Sequence, residues 1–120
     1  MNVKTVEIDN IAIAVVESDG LLLTDVQSAL EFIINITYQT GCNCITLNKT
    51  AIAEEFFNLS THLAGEILQK FINYHVKFAI IGDFSCYTSK SLKDFIYESN
   101  HGKDIFFVSS EEEAIIRLGT

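Results

Sequence analysis

The residues best suited to chemistry stand together in Gly82-Asp83-Phe84-Ser85-Cys86-Tyr87, directly after an apolar run at 76–81. A carboxylate, a hydroxyl and a thiol so close in the chain would serve nucleophilic catalysis if a base stood beside them. His62, at the start of the helix that precedes the run, is the histidine placed to reach this loop, so a Ser85–His62–Asp83 group can be drawn. Glu66 is a further polar candidate on the same helix. The motifs that would fix such a reading are missing: there is no G-x-S-x-G elbow, no G-x-x-x-x-G-K-[ST] loop and no G-x-G-x-x-G turn. Asp83 is therefore read first as a turn carboxylate that accepts backbone N–H groups of its own loop. No catalytic residue is assigned.

Cys42, Cys44, His75 and His101 supply two thiols and two imidazoles, a sufficient set for zinc. The C-x-C spacing is tighter than the usual C-x2-4-C, however, and the two histidines come from separate loops. The four residues are read as small thiols at a strand entry and two solvated histidines, with no metal and no cofactor. The third cysteine, Cys86, falls at the other end of the same strands. Three thiols and no leader-like N-terminus fit a reducing, cytoplasmic setting.

These groups need elements to position them. Runs at 3–8 and 11–16, separated by Asp9-Asn10, read as a β-hairpin. A helix is expected from Thr24, with Thr24 and Gln27 as its capping box and an apolar stripe of Val26, Ala29, Leu30, Ile33 and Ile34 that Phe32 and Ile36 widen beyond one face. Gly41 ends it. A strand follows at 44–48, a short helix or turn at 50–57, and a strong helix at 61–74. In that helix Leu63, Ala64, Ile67, Leu68, Phe71 and Ile72 share one side, and Glu66 and Lys70 form a favourable i,i+4 pair. The central strand at 76–81, a helix at 89–100, a strand at 104–108 and a last helix capped by Ser110 and Glu113 complete the chain.

The order β-β-α-β-α-β-α-β-α predicts one α/β domain over residues 1–120, with a mostly parallel sheet and an antiparallel hairpin at one edge. In such sheets ligands gather outside the carboxyl ends of the strands. That edge collects Asp83 and Ser85, with Phe84 and Tyr87 beside them, and the helix starts at Ser60, Thr61 and Ser89. A formal charge of −8, with eight basic residues scattered along the chain, opposes binding to nucleic acid or anionic lipid. No apolar run approaches the roughly 20 residues that span a bilayer.

The stretch FFNLSTHLAGEILQKFINYHVKFAIIGDFS, with SLKDFIYESNHGKDIFFV after it, resembles a family of short bacterial proteins known as domain of unknown function 4180. The motifs FF-x-L-[ST], LAGEILQKF, GDFS and ESN-x-G carry that resemblance, which implies kinship and no activity. The element order is also similar to that of STAS and anti-sigma factor antagonist domains. These carry a phosphorylatable serine in an apolar-x-D-S-S-G-L-G segment after the third strand. Phe57 to Gly65 occupies the equivalent place, with Ser60 and Thr61 at the serine pair, Leu59 at the aspartate and His62 at the glycine.

The resemblance implies a STAS-like fold and a phospho-acceptor at Ser60 or Thr61. The expectation is a non-catalytic regulatory or interaction domain of a bacterial cytoplasm, with a protein partner. The alternative is a small-molecule binder or small enzyme built on the carboxyl edge. A homo-oligomer is a third expectation, from the broad apolar surface of residues 24–39.

Overall fold

In the computed structural model, which describes Met1–Thr120, the hairpin forms where the Asp-Asn pair places it. Strand β1 (Asn2–Ile8) pairs antiparallel with β2 (Ile11–Glu17), and Ile8 faces Ile11 across the turn. Asp9 and Asn10 both take positive φ, 48° and 69°, as a tight hairpin turn demands of its two central residues. Helix α1 (Val26–Thr40), β3 (Cys44–Asn48), α2 (Leu63–Asn73), β4 (Lys77–Ile81), α3 (Lys90–Asn100), β5 (Ile105–Val108) and α4 (Glu111–Leu118) follow. Three short 3-10 turns, Lys49–Ala51, Glu54–Phe57 and Leu59–Thr61, fill the span between β3 and α2.

The sheet is mixed, in the order β1-β2-β3-β4-β5, with every pairing after the hairpin parallel. Each crossover moves to the next strand in the same direction, so right-handed connections put α1, α2 and α3 on one face. Alternating strand residues sort accordingly. Ala14, Val16, Ile45, Leu47, Phe78, Ile80 and Phe107 join those helices in the larger core. Ile13, Val15, Cys44, Ala79, Phe106 and Val108 point to the other face, where Ala114 and Leu118 of α4 cover them.

Four helix details depart from the sequence reading. The cap of α1 is Asp25, whose carboxylate accepts from Ser28 N at 2.8 Å while Ser28 Oγ accepts from Asp25 N. Thr24 and Gln27 share the same three-residue spacing but lie one position out of register. The buried stripe is Ala29, Phe32, Ile33 and Ile36, whereas Ile34 is 53% exposed. On α2, Ile72 turns outward rather than into the core, and Glu66 forms no ion pair with Lys70.

Candidate functional site

Beyond the carboxyl ends of β3, β4 and β5 the chain builds an aromatic cluster. Phe57 is buried by its own 3-10 turn; it stacks on Tyr87 with centroids 5.1 Å apart and meets Phe84 at 6.1 Å. Phe84 in turn packs edge-on against Phe107 at 5.4 Å. The loop after β4 thus folds its two aromatic residues down onto the core, and the sheet edge is filled by rings. Two shallow hollows flank them. One of about 430 Å³ is bounded by Asp83, Phe84, Ser109 and Glu113, and one of about 280 Å³ by Leu59, Cys86, Tyr87 and Ser89.

Polar groups around the rings bond locally. Asp83 accepts from Ser85 N at 2.9 Å; the Ser85 hydroxyl and then this N–H hold its carboxyl below the ordinary aspartate value. His62 makes no hydrogen bond to either residue, so the drawn Ser85–His62–Asp83 group is not assembled. His62 is exposed, sits at φ 63° before α2 and offers that helix no side-chain cap, while Glu66 is exposed in the first turn.

Sequence reasoning missed a lysine here. Lys49, the first residue after β3, lays its ammonium 4.9 Å over the Tyr87 ring and 5.4 Å over the Phe57 ring. The Tyr87 hydroxyl donates to Glu54 Oε1 at 2.9 Å. The Tyr87 hydroxyl, aided by Glu54, raises the Lys49 pKa against the pull of burial; burial is the chief cause that raises Tyr87. Gly82 makes room for this arrangement. A Cβ there would lie 2.6 Å from Lys49 Cβ, inside any tolerable contact. Nothing local to Lys49 signals this contact, which depends on β3 and the Gly82 that follows β4 lying side by side.

Ser60 and Thr61 lie in the 3-10 turn ahead of α2, not at its N-cap. The Ser60 hydroxyl is exposed and donates only to Asn58 Oδ1, at 2.7 Å. Thr61 Oγ1 is tied to the backbone, bonding Glu55 O and Asn58 O and accepting from Leu63 N. At the opposite edge Cys42 and Cys44 are buried, and burial pushes the Cys44 thiol up. His75 and His101 are exposed, and His101 Nδ1 lies 2.8 Å from Tyr97 O. No three Cys, His, Asp or Glu side chains approach closely enough to share a metal ion.

No curated protein matches this chain. A family model described as a domain of unknown function, DUF4180, matches residues 8–118, nearly its whole length. The chain belongs to the DUF4180 family.

Proposed function

We propose that this protein is a non-catalytic recognition domain whose carboxyl edge docks a protein partner. The carrying observation is the aromatic filling of that edge: Phe57, Phe84 and Tyr87 occupy the space where an α/β enzyme would seat a substrate. Asp83 and Ser85 satisfy each other in a turn, with no base in reach. The half-buried rings of Phe84 and Tyr87, backed by buried Phe57 and edged by Lys49, Glu54 and Asp83, suit a protein interface, where aromatic anchors are enriched among the residues that carry binding energy.

The STAS-like character of the frame belongs to the same proposal. It is supported by the element order and by His62, which holds the left-handed backbone that glycine favours at the place where the STAS segment has one. Ser60 is then the phospho-acceptor, since its hydroxyl is exposed while that of Thr61 is committed to the backbone. A phosphate would add up to about two negative charges beside the aromatic edge and release a partner with an acidic or apolar face.

The test is capture from a native bacterial lysate with wild-type protein, Ser60→Asp and Ser60→Ala as baits. A partner held by wild type and Ser60→Ala but lost with Ser60→Asp is expected. Equal capture by all three ends the switch, and no partner together with a measured turnover ends the proposal.

A second reading, a small molecule at the same edge, draws on the hollow beside Asp83, Ser109 and Glu113. Thermal-shift screening separates the two, because a ligand at 100 times its dissociation constant adds about 2.7 kcal/mol. Ile34 and Tyr38 form an exposed apolar strip on α1 and support self-association as a further element of the proposal; a monomeric mass by light scattering would remove it.

A further inference from the structure

The eight basic residues are scattered in the sequence, yet three of them, Lys77, Lys103 and Arg117, surround one hollow of about 420 Å³. It lies at the amino ends of β4 and β5, on the face covered by α4, away from the aromatic edge. Gly102, Phe106 and Thr120 complete its lining, and no carboxylate side chain enters it. Both ion pairs of the molecule, Lys4–Glu111 and Lys90–Asp94, lie elsewhere, so none of the three cations has an acidic partner.

The fold fixes one of these charges firmly. The Arg117 guanidinium lies 4.6 Å over the buried Phe106 ring and donates to Asn100 O. Four of its five N–H donors remain for another acceptor. Lys77 is half-buried, held at the start of β4 by pairing with Cys44 of β3. Lys103 is exposed in the loop between α3 and β5 and closes the ring of charge.

A chain of net charge −8 would gain from dispersing its cations among its sixteen acids. Here three line one hollow with no Asp or Glu side chain in its lining, around a space of ligand size. We propose that this hollow is a binding site for a small phosphate-bearing anion, with the Arg117 fork and the two ammonium groups as its ligands. A guanidinium matches phosphate oxygens in pairs, and the ammonium groups add point charges without demanding geometry. The site stands independently of any partner at the carboxyl edge.

The experiment is isothermal titration of the full chain with inorganic pyrophosphate and with inorganic phosphate at low ionic strength. One saturable site is expected, tighter for pyrophosphate and weakened by added salt. Lys103→Gln, at an exposed and unpaired position, should weaken it by about tenfold, and Arg117→Lys should weaken it while keeping the charge. Lys93→Gln, an exposed lysine on α3, should leave it unchanged. Absence of saturation overturns the proposal, as does equal weakening by Lys93→Gln and Lys103→Gln, which would mark a diffuse charge effect. A dimer that Lys103→Gln dissociates and pyrophosphate does not compete with also overturns it, in favour of an acidic surface of a second copy.

Discussion

Tyr87 does three tasks with one side chain. Its ring stacks on Phe57, its face carries the Lys49 ammonium, and its hydroxyl reaches Glu54. The pKa values of Lys49 and Tyr87 are both raised in the fold. For both groups the folded state holds its proton more tightly than the unfolded chain does. Stability is therefore full below the unfolded values and falls as pH rises above about 10. Urea titrations from pH 9 to 11 should show this loss, and Tyr87→Phe should remove part of it. Asp83 works in the opposite sense: its lowered pKa keeps the turn to Ser85 intact until pH drops below the ordinary aspartate range. A Ser85 amide NMR signal that titrates above that range would contradict this. Gly82→Ala should displace Lys49 from the rings and destabilise the fold by about 1–3 kcal/mol, read by urea denaturation. These residues also show what sequence could reveal. The turn carboxylate at Asp83 was legible because Asx turns are local. The Lys49 contact was not, since it depends on a close approach between two strand ends 33 residues apart in sequence order.

Asn100 ends α3 and also finishes the sheet. Its amide donates to Phe107 O at 3.1 Å and its carbonyl accepts from Phe107 N at 2.7 Å, so one side chain imitates the next strand along the open edge of β5. Edge strands left unpaired invite association with other chains. Asn100→Ala should cost about 2 kcal/mol for two part-buried bonds and raise the aggregation rate, measured by denaturation and light scattering. The ESN-x-G motif was visible in the sequence, but its use in the sheet was not, because nothing local to α3 points to β5. Strands and helices themselves were legible: β3 falls where its apolar run places it, and α3 begins at its Ser89 cap. The slip at α1 arose because Thr24–Gln27 and Asp25–Ser28 satisfy the same spacing rule. His62 could be drawn beside Ser85 and Asp83 from the sequence, whereas the fold gives it a left-handed backbone at φ 63°. His62→Gly should stabilise the turn by about 1 kcal/mol, measured as a higher urea midpoint.

Across the whole molecule, sixteen acidic residues face eight basic ones, and the two ion pairs are exposed. Surface pairs of this kind contribute little, whereas the repulsion among unpaired carboxylates is felt by the entire fold. Raising salt from near zero to about 0.15 M should therefore raise the melting temperature, because screening relieves more repulsion than attraction. A fall in melting temperature would show that attractive pairs dominate. The strongly acidic composition was plain from the sequence, while the convergence of Lys77, Lys103 and Arg117 required the strand order and the return of α4 across the sheet.

That return sets an order of events during synthesis. Every strand pairs with the one made just before it, so the sheet and its three-helix face can assemble in chain order, each parallel pairing closing over a crossover helix. The face bearing Ile13, Val15, Ala79 and Phe106 has no such early cover. Its lid, α4, is only 8 residues long and follows all five strands in chain order. A nascent or truncated chain lacking that helix would display a bare apolar sheet, the kind of surface that chaperones hold and proteases find.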